Sequence, residues 1–123
     1  MAQTAMDMVK AAKALITEIN VTQANELLKS GSIAIDVREL LEYETGHIPN
    51  ACHISRGMLE FMIGNHPEFQ DKTRSIVVYC KSGGRSALAT ATLQQLGFTN
   101  IHSMLGGFDL WSEGSDIPPE TQA

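Results

Sequence analysis

The sequence predicts a single α/β domain in which helices alternate with the strands of a mainly parallel sheet. Four short β-branched or apolar segments are separated by segments of helical periodicity, a pattern typical of parallel strands joined by crossover helices. The strongest segment, 75–79, shows no polar alternation, as expected of a strand that is covered on both faces. A chain of 123 residues fits one domain with a sizeable core.

Residues 1–17 are predicted to form an amphipathic helix ahead of this domain. Small and apolar side chains recur at steps of four and three, at Met1, Ala5, Met8, Ala12, Leu15 and Ile19. The simplest interpretation is a helix that packs on its own domain. The alternative is a docking surface, which includes a homodimer through this helix, although Ala and Met make a weak coiled-coil seam.

The α/β domain proper is expected over residues 18–117. Asn20 or Thr22 can cap a short helix that runs to Lys29 and ends at Gly31. The predicted strands follow at 33–37, 52–54, 75–79 and 101–105.

Two helices are predicted between these strands, a short one at 58–63 and a firmer one at 86–96. The second begins directly after a glycine-containing loop and carries alanines and leucines on one face. After the domain, two consecutive prolines begin a tail, residues 118–123, which is predicted to be flexible.

Composition excludes several classes of function. Nine Lys and Arg against fourteen Asp and Glu give a net charge of −5, which argues against nucleic-acid and anionic-membrane partners. No window approaches the roughly 20 apolar residues of a membrane-spanning helix. Charged residues interrupt the N-terminal segment, so no signal peptide is predicted either. We therefore expect a cytoplasmic protein whose two cysteines stay reduced.

The histidines and cysteines do not have the spacing of a metal site. No pair of the four histidines shows the close spacing of a helix-borne zinc site, and no Cys-x-x-Cys motif occurs. Neither a metal nor a cofactor is therefore expected.

The segment best suited to chemistry is the loop between the strand 75–79 and the helix 86–96. It reads Cys80-Lys81-Ser82-Gly83-Gly84-Arg85-Ser86. Ligands of open α/β sheets bind beyond the carboxyl ends of the strands, which is where Cys80 stands. The two glycines let successive backbone N–H groups converge on one point, and the helix N-terminus adds partial positive charge.

These features favour a thiolate at Cys80. A free cysteine has a pKa of about 8.5, and helix N-termini and cationic neighbours lower it. Residues 70–86 hold four basic residues and one acidic residue, a local net charge of +3. We therefore expect Cys80 to be largely ionised at neutral pH, rather than a buried and inert cysteine. Cys52 has no such surroundings and is predicted to be a packing residue.

Five motifs occur in a fixed order along the chain: Asp36-Val37-Arg38-Glu39, Gly46-His47-Ile48-Pro49-Asn50-Ala51, Arg56-Gly57, the loop from Cys80 to Ser86, and Gly106-Gly107 followed by Trp111. In this combination the sequence resembles the rhodanese-like sulfurtransferase family in its single-domain form, from about Ile19 to Trp111. The resemblance implies a five-stranded parallel sheet flanked by helices. The N-terminal helix is an addition to that fold.

The resemblance also implies a function. Cys80 would take a sulfane sulfur from a donor such as thiosulfate or a persulfide and pass it to cyanide or a thiol. The transferred sulfur would sit on Cys80 as a persulfide, and the backbone N–H groups of the substrate-binding loop, Lys81, Ser82, Gly83, Gly84, Arg85 and Ser86, would hold its outer sulfur. Lys81 would meet the anionic donor, and Arg85 would brace the loop and help to bind anionic donors. Asp36 and Arg38 either support the site or tie neighbouring loops together.

Two other functions remain open. A rhodanese-like module can carry sulfur for, or regulate, a protein partner that donates or accepts a persulfide. Rhodanese-like phosphatases and arsenate reductases also use a Cys…Arg loop, typically with five residues between Cys and Arg. This chain has four, Lys81 to Gly84. A tighter ring of N–H groups suits one sulfur atom better than a tetrahedral oxyanion, which favours sulfur transfer.

Overall fold

The computed structural model describes residues 2–115 and 117–121. Its strands form one sheet in the order β1-β5-β4-β2-β3, and every neighbouring pair is parallel. They are β1 (Glu18–Ile19), β2 (Ile33–Asp36), β3 (Cys52–His53), β4 (Ile76–Tyr79) and β5 (Ile101–Met104). The predicted five-stranded parallel sheet is confirmed.

Helices cover both faces of the sheet. The α-helices in the described part of the chain are α1 (Ala5–Lys13), α2 (Val21–Lys29), α3 (Leu40–Thr45), α4 (Leu59–Met62), α5 (Gly84–Gln95) and α6 (Gly107–Gly114). Short 3-10 helices flank α4, at Arg56–Met58, Ile63–Asn65 and Pro67–Phe69. Among these described helices, none is long and apolar enough to span a bilayer.

The central strand β4 divides the core into two layers. Ile76 and Val78 pack on one face with residues of α4 and α5, and Val77 and Tyr79 pack on the other with residues of α2 and α6. All four side chains are fully buried. Double-sided burial explains why this strand shows no polar alternation in the sequence.

The N-terminal helix is shorter than the predicted range of 1–17, because the chain leaves the helix after Lys13. Thr4 caps it, and Asp7 returns a hydrogen bond to the Thr4 backbone, which completes a capping box. Met1 lies outside the described residues. Ile19, which extends the apolar stripe in the sequence, belongs instead to the edge strand β1, where it pairs with Met104 of β5.

The buried face of α1 also differs from the predicted stripe. Val9 and Ala12 pack against Ala87 of α5, whereas Met8 and Leu15 are exposed. The helix therefore packs on its own domain, but through Val9 and Ala12, with Met8 and Leu15 of the predicted stripe outside the contact. The predicted stripe includes Leu15 and Ile19, which lie beyond the end of the helix at Lys13, so the helical spacing does not apply to them.

The C-terminal segment contacts the domain within the range 118–123 that was predicted to be flexible. The Glu120 N–H donates to the His47 carbonyl (2.9 Å), and the His47 N–H donates to the Glu120 carbonyl (2.8 Å). The Glu120 carboxylate also accepts the N–H of Asn50 at 2.9 Å. A flexible tail is therefore wrong for Glu120, while Gln122 and Ala123 lie outside the described residues.

Candidate active site

The sulfur of Cys80 is enclosed by the loop that follows β4. Cys80 is only 1% exposed. Its Sγ accepts the backbone N–H of Gly83 at 3.1 Å and that of Ser86 at 3.3 Å. These are two of the four N–H groups at the start of α5 for which a helix has no acceptor of its own. Both donors and the helix dipole stabilise negative charge on the sulfur.

Gly83 allows the loop to make this turn. It precedes α5 with a φ of +115°, in the left-handed region that residues with a Cβ rarely adopt. Its N–H thereby points back toward the Cys80 sulfur, and its carbonyl accepts the N–H of Ala87 at 3.1 Å. A side chain at this position would strain the conformation that aims the N–H group.

The beginning of α6 holds the loop from the other side. The Phe108 N–H donates to the Cys80 carbonyl (2.8 Å), and the Asp109 N–H donates to the Lys81 carbonyl (3.1 Å). A Cβ on Gly107 would lie 2.5 Å from the Cys80 oxygen and 2.6 Å from the Lys81 oxygen. Glycine at 107 is therefore required for the helix to approach the loop this closely.

The charged side chains of the loop are paired with acids from other elements. Arg85 donates to both carboxylate oxygens of Glu42 on α3, at 2.6 and 3.0 Å. Lys81 Nζ lies 3.0 and 3.1 Å from the two carboxylate oxygens of Asp109 on α6. Both acids lie outside residues 70–86. In the folded protein these acids neutralise Lys81 and Arg85, so the net charge of +3 counted along residues 70–86 does not form an unpaired cationic surface at the loop.

The Glu42–Arg85 pair is electrostatically strong. The hydrogen bonds from Arg85 are the largest cause that lowers the pKa of Glu42, from 4.5 to about 2. The same hydrogen bonds raise the pKa of Arg85 above its ordinary value. The pair ties α3 to the first turn of α5, as a bracing residue would, and because both terminal nitrogens of Arg85 are bonded to Glu42, its expected contact with anionic donors stays a prediction.

Asp36 and Arg38 lie at the end of β2, beside β4. Arg38 Nη2 donates to Asp36 Oδ2 (2.8 Å) and to the Gly46 carbonyl (2.7 Å), and both side chains are buried. The Arg38 guanidinium also lies over the ring of Phe108, 4.5 Å from its centroid. In the described part of the chain neither side chain bonds to the loop 80–86, so the pair ties neighbouring loops together.

Three further candidate residues, Ser82, Gly84 and Cys52, do not bond to the Cys80 sulfur in the described part of the chain. Ser82 is exposed on the loop, and Gly84 is the first residue of α5, where an added Cβ would lie 3.8 Å from Val9 Cγ2 of α1, an ordinary contact. Cys52 is half-buried in β3 and packs against the core, and burial raises the pKa of its thiol. These surroundings fit the predicted packing role of Cys52.

Sequence reasoning missed three polar residues around the loop, namely Glu42, Asp109 and Ser103. Ser103 lies on β5, and its Oγ is 2.9 Å from Ser86 Oγ. The sequence gives little signal for Ser103, because it is one of two polar residues in β5, beside His102. Glu42 and Asp109 gave no local signal, because their roles depend on how α3 and α6 pack against the loop.

The sequence model of the rhodanese-like domain matches residues 20–114. The chain belongs to the rhodanese-like family. Among the curated relatives of this rhodanese-like protein, thiosulfate sulfurtransferase GlpE from Coxiella burnetii is 37% identical over 95 residues, which cover 76% of this chain and 85% of the relative.

Two solved structures extend the comparison. The human single-domain sulfurtransferase TSTD1 has a TM-score of 0.73 and 27% identity, over 80% of this chain and 97% of its own. A protein of unknown function from Rhodopseudomonas palustris, described as a possible tyrosine phosphatase, has a TM-score of 0.87 and 32% identity over 96% of both chains. The uncovered 4% of this chain is shorter than the nine residues of α1, so the second likeness reaches into α1.

The expected family, fold and enzyme class are confirmed by these findings. The rhodanese-like protein is a sulfurtransferase of rhodanese type, and as such it uses a sulfur donor and a sulfur acceptor.

Proposed function

We propose that this rhodanese-like protein transfers a sulfane sulfur through a persulfide formed on Cys80. The observation that carries the proposal is the pair of backbone N–H groups, from Gly83 and Ser86, that bind Sγ at 3.1 and 3.3 Å. Hydrogen bonds donated to a sulfur stabilise its anionic form over the thiol. The thiolate is the nucleophilic form of cysteine, so the loop prepares Cys80 for attack.

The reaction with thiosulfate takes two steps. The Cys80 thiolate attacks the outer sulfur of the donor, the donor S–S bond breaks, and sulfite leaves with the bonding electron pair. The outer sulfur remains on Cys80 as a persulfide anion. An acceptor nucleophile, such as cyanide or a thiolate, then attacks that sulfur, and the Cys80 thiolate departs with its electron pair.

The loop supplies donors for the transferred sulfur as well. Gly84 and Arg85 occupy the first two positions of α5, where the helix offers their N–H groups no acceptor. We assign these two N–H groups to the outer sulfur of the persulfide. Lys81 and Ser82 are the exposed residues of the loop, and we assign the approach of the donor to this side. Arg85 holds the loop in place through its hydrogen bonds to Glu42.

Initial-rate kinetics test the two-step scheme. With thiosulfate and cyanide varied together, we expect the parallel double-reciprocal lines of a ping-pong reaction. We expect Cys80→Ala to abolish turnover and Cys52→Ser to leave it nearly intact. Intersecting lines, or turnover that survives Cys80→Ala, would contradict the proposal.

The donor is the open part of this function. Thiosulfate is tested first because the Coxiella relative is named for it. Low-molecular-weight persulfides and a protein persulfide use the same chemistry at Cys80. Slow turnover with both small donors, together with fast sulfur uptake from a persulfidated protein, would identify the protein as a carrier for a protein partner.

A second candidate function is phosphate-ester hydrolysis, because the Rhodopseudomonas protein is described as a possible tyrosine phosphatase. Two features oppose it. Four residues separate Cys80 from Arg85, and both terminal nitrogens of Arg85 are bonded to Glu42 at 2.6 and 3.0 Å instead of facing an oxyanion. We expect no Cys80-dependent turnover of p-nitrophenyl phosphate. Turnover that is lost in Cys80→Ala would favour the phosphatase.

A further inference from the structure

Two buried hydroxyl groups lie behind the nucleophile. Ser103 Oγ on β5 is 2.9 Å from Ser86 Oγ on α5, and Ser86 Oγ is 3.6 Å from Cys80 Sγ. Ser86 is fully buried and Ser103 is 1% exposed. Water therefore does not compete for these hydrogen bonds, and each hydroxyl must find its partners within the protein.

The sheet register explains why a strand residue reaches the nucleophile's loop. Ser103 pairs with Val78 of β4, and Cys80 follows Val78 by two residues, directly after the end of β4. Because side chains alternate along a strand, Val78, Cys80 and Ser103 all point to the face that α5 covers. A serine in the middle of a buried strand is unfavourable unless its hydroxyl is bonded, and Ser86 provides that bond.

The protons available decide the direction of the bonds. Each hydroxyl carries one proton. Ser86 Oγ lies 3.2 Å from the carbonyl of Gly83, which can only accept. When the Ser86 proton points to Gly83 or to Cys80, Ser103 must be the donor in the 2.9 Å hydrogen bond between the two hydroxyl oxygens.

We propose that Ser103 is a positioning residue for sulfur transfer, which donates to Ser86 so that the Ser86 proton is free to face the sulfur of Cys80. The inference rests on the proposed function. A Cys80 thiol can donate to Ser86, whereas a thiolate can only accept, so the Ser86 proton turns from Gly83 toward the sulfur when the anion forms. Donation from Ser103 also polarises the Ser86 hydroxyl and strengthens the bond that it gives.

The opposite arrangement shows what Ser103 contributes. If Ser103 accepted from Ser86, the single Ser86 proton would point at β5 and away from the sulfur. The nucleophile would then keep only the N–H groups of Gly83 and Ser86. Ser103 therefore acts on the Cys80 anion through Ser86 and does not itself touch the substrate.

A matched pair of variants tests the hydroxyl apart from its shape. Ser103→Thr and Ser103→Val add the same bulk, but only threonine keeps the hydroxyl. We expect Ser103→Thr to form the Cys80 persulfide at close to the wild-type single-turnover rate, and Ser103→Val to form it about fivefold more slowly, the loss of one hydrogen bond. Ser103→Ala, which adds no bulk, repeats the test with no added steric cost and should slow the step to a similar extent.

A double-mutant cycle tests whether Ser103 acts through Ser86. Removal of the Ser103 hydroxyl should slow persulfide formation in the wild-type background and have no further effect in Ser86→Ala. Thr90→Val is the control, because Thr90 Oγ1 is buried on the same helix and has no hydrogen-bond partner among the described residues. Thr90→Val should leave the rate unchanged.

Two results would overturn the inference. One is equal slowing by Ser103→Thr and Ser103→Val, and the other is an undiminished effect of Ser103→Ala in the Ser86→Ala background. Failure of the proposed function is distinguishable from both, since wild-type protein would then form no persulfide on Cys80 at all.

Discussion

At the scale of single residues, the site depends on backbone N–H groups for the sulfur and on paired charges around it. Gly83 and Ser86 present N–H groups to Cys80, while Asp109 neutralises Lys81. An anionic donor therefore meets a loop whose exposed cation is already engaged. A substitution that removes the Asp109 carboxylate would leave the positive charge of Lys81 unpaired beside the loop.

Asp109→Asn should strengthen the binding of anionic donors. The substitution releases Lys81, and exposed ion pairs of this kind contribute little to stability, so the fold is retained. We expect the KM for thiosulfate to fall about two- to fivefold at low ionic strength and the difference to shrink in high salt.

Glu113→Gln on the same helix is the control for net charge, because Glu113 is exposed and changes the charge by the same amount. An equal fall in KM for both variants would mean that overall charge, and not the Lys81–Asp109 pair, governs donor affinity.

Residues of the site can be identified from the sequence when they lie close together along the chain, and not when distant elements bring them together. Cys80 and its loop were identifiable because strand, glycines, cations and helix start all lie within a few positions of one another. Glu42 and Ser103 reach the same loop from α3 and β5, so their contacts exist only after the elements pack. Their roles had to wait for tertiary structure.

At the scale of elements, the loop is clamped between the start of α5 and the start of α6. Gly107 allows this clamp, because any Cβ there would approach the Cys80 and Lys81 carbonyls to 2.5 and 2.6 Å. We expect Gly107→Ala to push the loop away from α6 and to lower kcat by at least about tenfold, since small displacements of catalytic groups are costly.

The control for this change is Gly114→Ala at the other end of α6, where an added Cβ meets nothing within 4 Å. Steady-state rates and unfolding curves of both variants check the expectation. Wild-type kcat in Gly107→Ala would show that the loop does not need the close contact.

The tie between α3 and α5 should appear as a pH dependence of stability. Arg85 lowers the pKa of Glu42 to about 2 in the folded protein, below the ordinary value of 4.5. A carboxyl with a lowered folded pKa stabilises the protein above its unfolded pKa, and this stability is lost as the pH falls from about 4.5 toward 2.

Urea unfolding of wild type and Glu42→Gln checks this expectation. The variant should be less stable at neutral pH, and the difference should diminish at about pH 3. Glu44→Gln, on the same helix but outside the pair, is the control. A difference between wild type and Glu42→Gln that stays constant with pH would contradict the assignment.

The helices and strands that bury many apolar residues are the ones that the sequence predicts well. The predicted bounds of β4 and α5 lie within two residues of the observed ones, since β4 is apolar and buried on both faces and α5 carries Ala89 and Leu93 on its buried side. α3 was missed because none of its residues is buried, and the two-residue strand β1 was absorbed into the preceding helical pattern. Both are held by hydrogen bonds to distant elements, which leave no periodic signal.

At the scale of the whole molecule, α1 adds a layer outside α5, on the flank of the active-site helix. Val9 and Ala12 are its buried contacts, and Met8 is half-exposed. Val9→Ala should lower the free energy of unfolding by about 1.5 kcal/mol, at roughly 0.8 kcal/mol per buried methylene. Met8→Ala should change it by less than about 0.5 kcal/mol.

Thermal or urea unfolding of the two variants distinguishes the observed face of α1 from the stripe predicted by sequence. A larger effect of Met8→Ala would restore the predicted stripe and indicate a partner for the exposed side.

A homodimer through α1 stays a prediction, and light scattering of the full chain beside a Met8→Asp variant tests it. Dissociation of a dimer by that substitution would support it.

The whole arrangement converges on one sulfur atom, so the central claim is that Cys80 carries the transferred sulfur. Its most direct test is the intact mass of the protein after incubation with thiosulfate and removal of excess donor. We predict a gain of one sulfur atom that a thiol or cyanide removes, retained in Cys52→Ser and absent in Cys80→Ala. A sulfur gain that persists in Cys80→Ala, or turnover of thiosulfate with no gain in wild type, would contradict the account.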